Sequence, residues 1–485
     1  MMGKIVATLV VLLSVSALFA RPKPADDAQP PKSIFNESAE ARSSRMAWWK
    51  HDRFGMFIHF GLYSAQAKHE WYKSNTGASD TAYDETLFRH FDPDLFDAKQ
   101  WARKAKAAGM KYVVLTTKHH EGFCLWDTAT TDFKITNTAF GRDLVKEYVE
   151  ALREEGLKVG FYFSLMDWHD ANYTVDIHHP LFTGYKRKNR LEKTSPALKA
   201  EVDRLNAGRD MDKFRDLMFA QVRELLTNYG KIDLMWFDFT PEDNLFGKTW
   251  RDWDAVELLK MSRELQPGLI VDNRLGLLDT DDGWDFVTPE QFKVAAAPTR
   301  NGKPVDWETC QTFSGSWGYY RDENTWKSPE QLVELLIHTV SFGGNLIMNV
   351  GPTGRGDFDW RANDRLAAFE KWMRHNSRSI YGCTQAPDEF KAPAHTLLTY
   401  NPEKRRLYIH LLAYPMERLN LPAEFADRLD YVQFLHDASR LNVVKASANH
   451  SQNGAENPGG IALPVAKPDQ LIPVIECFLK EGGDK

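Results

Sequence analysis

The chain has 485 residues, of which 43% are hydrophobic and 26% charged, and its formal net charge at pH 7 is −6. This composition is typical of a globular protein with room for two or three domains. The acidic balance argues against a nucleic-acid-binding protein, which would normally carry a basic surface.

The N-terminus has the pattern of a secretory signal peptide. Lys4 precedes an apolar stretch that runs from Ile5 to Ala20 and ends in small residues. The stretch is short for a membrane span, so we expect residues 1–20 to direct export and the mature protein to be secreted or periplasmic. Residues 21–44 are rich in Pro, Ser, Ala and charge, which predicts a flexible leader.

Strand-like and helix-like segments alternate over residues 45–383. Apolar strands are predicted at FGMFIHFG, KYVVLTTKHH, LKVGFYFSLMDW, IDLMWFDF, LIVDNR and NLIMNVGP. Helices are predicted at FDAKQWARKAKAAG, RDLVKEYVEALREEG, DKFRDLMFAQVRELLTNYG, AVELLKMSRELQPG and SPEQLVELLIHTVSFGG. The alternation predicts a parallel α/β fold, and apolar strands that end in polar residues favour a (β/α)8 barrel.

Residues 384–485 have a different sequence pattern, without the alternation of strands and helices. HTLLTYNPEKRRLYIHLLAY reads as two strands around a turn, and short strand-like pieces follow it, which predicts an antiparallel β-domain.

The chain has four cysteines and no CxxC pair, so we expect no zinc site, and disulfide pairing is left open.

Polar and aromatic side chains are concentrated at the predicted strand ends. In a barrel these ends meet on one face, where the chemistry is located. The residues are His59, His119, His120, Tyr162, Trp236, Asp238 and Arg274, and the loop HEWY adds Glu70 and Trp71. The 15 tryptophans fit either a large aromatic core or stacking against the C–H faces of sugars.

Asp238 ends a very apolar strand, where a carboxylate is costly to bury unless it is paired or used. Glycosidase chemistry requires a second carboxyl group that protonates the leaving oxygen. The candidates are Glu290 in WDFVTPEQF and Glu308 in DWETC. Aromatic neighbours surround both, and burial beside them would raise the pKa of either carboxyl group, as a general acid requires.

Ten stretches in order resemble the α-L-fucosidases of glycoside hydrolase family 29. They are WWKHDRFGMFIHFGLYS, HEWY, KYVVLTTKHHEGFCLWDT, GFYFSLMDW, MWFDF, DNR, DFVTPEQ, WETC, SWGYY and GGNLIMNVGPTGRGD. The resemblance covers roughly residues 46–383. It implies a (β/α)8-like TIM barrel followed by a C-terminal antiparallel β-sandwich domain. It also implies hydrolysis of terminal α-L-fucose with retention through a covalent intermediate, without a metal or cofactor.

The resemblance also implies residue roles. Asp238 matches the nucleophile, and Glu290 the acid/base, with Glu308 in reserve. Sugar-binding roles fall on His59, Glu70, Trp71, His119, His120, Tyr162, Trp236, Arg274 and Trp317. The implied partner is a fucosylated oligosaccharide, glycoconjugate or polysaccharide, and a homo-oligomer is left open. Phe60, Glu121 and Leu275 depart from the commoner family residues, which leaves the leaving-group contacts and the finer substrate preference open.

Three alternatives are left open. A metal hydrolase would use His59, His119, His120 and Asp238, but the first strand lacks an H-x-H pair, and adjacent histidines on a regular strand point in opposite directions. An inactive fucose-binding relative would keep the pocket without turnover. An enzyme of the same fold would act on a related sugar such as α-L-galactose, which differs from fucose by one hydroxyl group.

Overall fold

The computed structural model describes residues 25, 28–77, 81–176, 178–182, 196–240, 247–445 and 459–480. The predicted signal peptide, residues 1–20, lies outside these residues. Within them, no helix has the length and apolar character needed to span a bilayer.

Seven of the first nine strands in the described residues form a parallel sheet. The nine strands are β1 (Phe54–Ile58), β2 (Tyr112–Lys118), β3 (Lys158–Ser164), β4 (Leu234–Asp238), β5 (Ile270–Val271), β6 (Thr299–Arg300), β7 (Lys303–Pro304), β8 (Glu308–Thr312) and β9 (Asn345–Val350). The sheet order is β5-β4-β3-β2-β1-β9-β8, and β6 and β7 form a separate hairpin. The apolar runs are buried on both faces, as expected for parallel strands covered by helices.

A short extended segment bridges the gap between β5 and β8. Phe286 pairs with Asp272 beside β5, and Val287 pairs with Trp307 beside β8, both in parallel. β1 also pairs with β9, so the seven strands and this segment together close into a ring of eight. The predicted (β/α)8-like barrel is therefore confirmed, with one position occupied by this short segment.

Helices surround the barrel, and several begin at side-chain caps. The helices in the described residues are α1 (Ala39–Asp52), α2 (Leu62–Gln66), α3 (Tyr72–Thr76), α4 (Thr86–His90), α5 (Ala98–Ala107), α6 (Leu144–Glu154), α7 (Pro196–Leu205), α8 (Met211–Asn228), α9 (Trp250–Trp253), α10 (Ala255–Leu265), α11 (Pro329–Ser341), α12 (Trp360–Asn376) and α13 (Ala423–Asp427). Asp97, Asp143 and Asp210 accept backbone N–H groups at the starts of α5, α6 and α8. Ser328 and Gln331 form a capping box on α11.

Helix α1 closes the N-terminal end of the barrel. Its Met46 and Trp49 join the buried cluster that fills the barrel interior. Asn345, the first residue of β9, donates a 2.8 Å hydrogen bond to the Trp49 carbonyl oxygen. The barrel therefore opens to solvent at its other end, where the strands have their carboxyl ends.

Residues 33–45, which comprise the segment before α1 and the first turns of α1, are bound to the barrel, which differs from the predicted flexible leader over 21–44. Asp282 accepts hydrogen bonds from the Ser33 hydroxyl and from the backbone of Ile34. Asp285 accepts hydrogen bonds from Arg42 and Arg45. The prediction was wrong for this part because the partners lie about 240 residues away, where local composition carries no signal.

The C-terminal domain is an antiparallel β-domain, as predicted. Its strands are β10 (Thr384–Gln385), β11 (Thr396–Asn401), β12 (Arg406–Leu411), β13 (Arg418–Asn420), β14 (Leu429–Phe434), β15 (Arg440–Val444), β16 (Gly460–Ala462) and β17 (Val474–Leu479). They are hydrogen-bonded in the order β10-β11-β12-β17-β14-β15-β16-β13. The domain packs behind the barrel, where Trp372 of α12 donates to the Ile472 carbonyl oxygen and Arg378 pairs with Glu476.

Candidate active site

The carboxyl ends of the barrel strands surround a cavity that is open to solvent. All the predicted site residues except Glu70 line it: His59, Trp71, His119, His120, Tyr162, Trp236, Asp238, Arg274, Glu290 and Trp317. The lining residues lie between positions 57 and 317, so the C-terminal domain contributes none of them.

Two carboxylates in the cavity are joined by one guanidinium group. Arg274 donates to Asp238 Oδ1 across 2.9 Å and to Glu290 Oε2 across 2.7 Å. The Tyr162 hydroxyl donates to the other oxygen of Asp238, Oδ2, across 2.7 Å. The Asp238 side chain is 11% exposed and that of Glu290 is 42% exposed. Asp238 therefore lies deep in the cavity, whereas Glu290 lies at the edge that solvent reaches, so the burial expected for Glu290 is not found.

Arg274 is fixed on several sides. Its Nε donates to Thr288 Oγ1 across 2.9 Å, and its guanidinium lies 4.5 Å from the Trp236 ring centroid. Burial opposes the charged form, but the Asp238 carboxylate outweighs it and raises the pKa of Arg274 further above its ordinary value. The arginine is therefore a permanent positive charge between the two acids.

His59 is held as a neutral hydrogen-bond acceptor. Asn349 donates its amide hydrogen to the Trp317 carbonyl oxygen, so its Oδ1 accepts from His59 Nδ1, 2.6 Å away. This arrangement leaves His59 Nε2 without a proton. Burial lowers the pKa of His59 to about 3, so the ring is neutral at ordinary pH.

The adjacent histidines both line the cavity, which corrects the expectation that they would point in opposite directions. They follow the last residue of β2, so strand alternation does not apply to them. Ser164 donates to the Met166 carbonyl oxygen and accepts from His120 Nδ1 across 2.7 Å. His119 Nδ1 has no hydrogen-bond partner among the described residues. Burial lowers the pKa of both rings well below the ordinary value.

The charged neighbours of the two histidines face away from the cavity. Lys118 forms a buried 2.9 Å ion pair with Asp167. Glu121 accepts hydrogen bonds from the Leu62 backbone and the Tyr83 hydroxyl, and burial raises the pKa of its carboxyl group to about 8. These groups fix the shape of the loop and do not line the cavity.

The three family departures do not contact the cavity either. Phe60 packs against the rings of Phe91 and Trp101, and Leu275 is fully buried. Neither these two residues nor Glu121 is part of the lining. All three belong to the core, so these departures do not change the surface of the cavity itself.

Glu70 lies behind the cavity lining. Its Oε2 accepts a 2.8 Å hydrogen bond from the backbone N–H of Gly318, next to Trp317. Burial raises the pKa of its carboxyl group to about 7. In this structure Glu70 therefore supports the loop that carries Trp317, and its neighbour Trp71 supplies the cavity surface.

Glu308, the reserve candidate for the acid, lies inside the barrel. It is the first residue of β8 and is fully buried. Its Oε2 accepts hydrogen bonds from the Tyr112 hydroxyl and from Trp49 Nε1. Burial raises the pKa of its carboxyl group to about 7, but the residue does not line the cavity.

Sequence reasoning missed three lining residues: Phe57, Phe239 and Cys310. Phe57 lies on β1 two positions before His59, which directly follows the strand, so strand periodicity was a usable signal. Cys310 was missed because the polar segment ETCQT was not predicted as a strand. Phe239 directly follows Asp238, and no sequence pattern indicated that its ring turns into the cavity.

The described residues contain no cluster of three or more His, Cys, Asp or Glu side chains arranged to hold a metal ion. All four cysteines are buried and free, so the disulfide that the sequence left open is not formed.

Comparisons with known proteins agree on one family. A family model described as Alpha-L-fucosidase matches residues 24–378. An α-L-fucosidase of Dictyostelium discoideum is 30% identical over 69% of this chain and 71% of its own, and the human tissue α-L-fucosidase is 29% identical over 73% of each. The solved α-L-fucosidase isoenzyme 1 from Paenibacillus thiaminolyticus superposes with a TM-score of 0.80 at 40% identity, covering 91% of this chain and all of its own.

A second solved structure bears on the reaction. It is a family 29 α-L-fucosidase from Bacteroides thetaiotaomicron, described as a trapped covalent intermediate with 2-fluoro-fucosyl fluoride. Its TM-score is 0.70 at 27% identity, covering 90% of this chain and 96% of its own.

Proposed function

Because the chain belongs to the α-L-fucosidase family, glycoside hydrolase family 29, we propose that it is a retaining exo-α-L-fucosidase. The observation that carries the proposal is the pair of carboxylates, Asp238 and Glu290, held in one cavity by Arg274. The covalent intermediate trapped in the Bacteroides relative supports a double displacement. The substrate is a terminal α-L-fucosyl unit on a glycan.

In the first step Asp238 attacks the anomeric carbon of the fucosyl unit. The bond from that carbon to the leaving oxygen breaks, and protonated Glu290 gives its proton to that oxygen. The unequal exposure of the two side chains fits these roles, because the acid must meet the leaving group at the mouth of the cavity. The products are the leaving alcohol and a β-linked fucosyl ester on Asp238.

In the second step water attacks the same carbon from the face that the leaving group vacated. Glu290, now a carboxylate, takes a proton from the water, and the ester bond to Asp238 breaks. Negative charge returns to Asp238, where the Tyr162 hydroxyl and Arg274 stabilise it. The product is α-L-fucose, and both acids return to their starting states.

The histidines bind the hydroxyl groups of the sugar. His59 and His120 have Nδ1 committed to Asn349 and Ser164, so each neutral ring keeps Nε2 as an acceptor for a sugar hydroxyl. The buried Nδ1 of His119 is a further polar atom that the protein itself does not satisfy. The aromatic lining suits the methyl group and C–H face of fucose.

A combined trapping and selectivity experiment tests the proposal. The chain is incubated with 2-deoxy-2-fluoro-α-L-fucosyl fluoride and digested, and we expect one fluorofucosyl adduct on the peptide that contains Asp238. In parallel, kcat/KM is compared for aryl α-L-fucoside and aryl α-L-galactoside. An adduct on another residue would refute the nucleophile assignment, and preference for the galactoside would favour the related-sugar alternative. Binding of fucose without turnover would favour an inactive relative.

We also propose that the protein is exported to the periplasm or the extracellular space. The signal-peptide pattern of residues 1–20 supports this location. N-terminal sequencing of the protein recovered outside the cytoplasm should find the chain starting near Arg21. Recovery from the cytoplasm with Met1 retained would contradict it.

A further inference from the structure

Phe239, the residue that follows Asp238, has an unusual backbone conformation. Its φ angle is +84°, which lies in the left-handed region. Glycine adopts this region freely, but a bulky aromatic residue is a genuine outlier there. Such outliers persist where the surrounding structure fixes them, and they are concentrated at functional sites.

Hydrogen bonds on both sides of Phe239 fix this conformation. On one side, the Asp238 carbonyl oxygen accepts from the Leu165 backbone across 2.9 Å. On the other side, Thr240 donates its hydroxyl to the Arg274 carbonyl oxygen and accepts from Trp253 Nε1 across 3.0 Å. The ring of Phe239 is therefore held in a set position beside the reacting carboxylate.

The Phe239 ring connects the buried site to the surface. It lies 5.1 Å from the His120 ring, 5.7 Å from the Trp71 ring and 4.7 Å from the His178 ring, measured between centroids. We refer to Trp71, His120, Phe239 and His178 as the aromatic strip. His120 is buried, Phe239 is partly exposed, and His178 is partly exposed and lies outside the cavity lining.

The strip thus extends outward from the inner end of the cavity, where the proposed mechanism places the fucosyl unit beside Asp238. The Ser74 hydroxyl donates to the His178 carbonyl oxygen and ties the outer end of the strip to helix α3. A group that contacts the outer part of the strip must lie on the leaving-group side of the scissile bond. Aromatic faces suit the C–H face of a pyranose ring there.

We propose that Phe239, with Trp71 and His178, forms a leaving-group subsite that stacks against the pyranose residue to which the fucose is attached. Phe239 is then a specificity-determining residue that favours glycans over small leaving groups. This inference rests on the proposed fucosidase function, because it assigns the other half of the same substrate.

The test compares two substrates that share the fucosyl half. One is α-L-fucosyl fluoride, whose leaving group has no ring, and the other is the fucosylated disaccharide that the wild type cleaves fastest from a panel of linkages. Phe239→Ala removes the ring. Phe239→Gly also removes it and suits the left-handed backbone, so it serves if the alanine variant fails to fold. Two variants serve as controls. Phe239→Tyr keeps the ring, and Trp360→Ala removes an aromatic ring on α12 that is 73% exposed.

The readout is the ratio of kcat/KM for the disaccharide to that for the fluoride. We expect the Ala and Gly variants to lower this ratio about tenfold, as for the loss of one stacking ring. The Tyr variant and Trp360→Ala should keep the wild-type ratio. An unchanged ratio in both ring-deleting variants of an active enzyme would overturn this inference alone. A wild type that releases fucose from neither substrate would overturn the proposed function and this inference with it.

Discussion

Replacing Tyr162 with Phe should slow the breakdown of the fucosyl–enzyme intermediate. The Tyr162 hydroxyl donates to Asp238 Oδ2 across 2.7 Å, and both groups are buried. Burial, together with the Asp238 charge, raises the pKa of the phenol well above its ordinary value, so the hydroxyl keeps its proton at any working pH. In the second step negative charge returns to Asp238, and this donor is in place to stabilise it.

The size of the effect follows from the hydrogen bond. A hydrogen bond to a charged group contributes about 1.5–3 kcal/mol. Because each 1.36 kcal/mol is a factor of ten in rate, its loss should slow the second step by about 10- to 150-fold. The first step removes charge from Asp238, so it should be affected less, and the intermediate should accumulate.

Rapid mixing with 4-nitrophenyl α-L-fucoside measures both steps. Tyr162→Phe should release close to one equivalent of nitrophenol in a burst, followed by a slow steady rate. Tyr148→Phe is the matched control, because the Tyr148 hydroxyl is also buried and, among the described residues, binds the backbone carbonyl oxygens of Val113 and Gly160. If Tyr162→Phe slows both chemical steps equally, no burst of nitrophenol will appear. That result would refute the reasoning and assign Tyr162 to sugar binding instead.

Three further predictions follow from the site and the fold. Asp238→Gly and Glu290→Ala should each lose about 10³-fold or more in rate. Added azide should restore turnover, giving β-fucosyl azide from the Asp238 variant and α-fucosyl azide from the Glu290 variant. The same azide anomer from both variants would contradict the assigned roles. Glu308→Gln should show no azide rescue, because the residue lies inside the barrel, and rescue of this variant alone would exchange the acid/base assignment. Asp285→Asn should lower the free energy of unfolding at pH 7 by about 3 kcal/mol or more, because it removes the buried carboxylate that Arg42, Arg45 and Arg263 share.

The Asp285 effect should depend on pH. Burial opposes ionisation, but Arg263, Arg45 and Arg42 outweigh it and hold the pKa of this carboxyl group below its usual value. Because the pKa of Asp285 is lower in the folded than in the unfolded chain, its carboxylate stabilises the fold at pH values above the unfolded pKa of about 3.9. This stabilisation is lost as the pH falls through the folded-state pKa. Urea unfolding should therefore show that the difference in free energy of unfolding between wild type and Asp285→Asn becomes smaller at acidic pH. A difference that stays constant across that range would contradict this account.

The barrel was predictable where strands are apolar and helices carry clear caps. The strand β8 was not, because its sequence ETCQT is polar and its buried Glu308 depends on hydrogen bonds from Tyr112 and Trp49, which are distant in sequence. The N-terminal segment was misread for the same reason, since its arginines find Asp285 only in the folded chain. Local patterns do not report such long-range pairs.

In the site, residue types at strand ends predicted most of the cavity lining. Glu70 lies behind the lining and binds the backbone of Gly318, and sequence spacing does not distinguish such a position from one in the cavity itself. Phe239 was missed because a left-handed backbone runs against the preference of an aromatic residue, and only the folded surroundings impose it.

The most direct test of the central claim is the anomer of the first product. Proton NMR follows the hydrolysis of 4-nitrophenyl α-L-fucoside by the purified chain, at early times before mutarotation. The double displacement at Asp238 predicts that α-L-fucose appears first and that the β anomer grows in later. Initial β-L-fucose would contradict the covalent mechanism, and the absence of any fucose would contradict the fucosidase assignment itself.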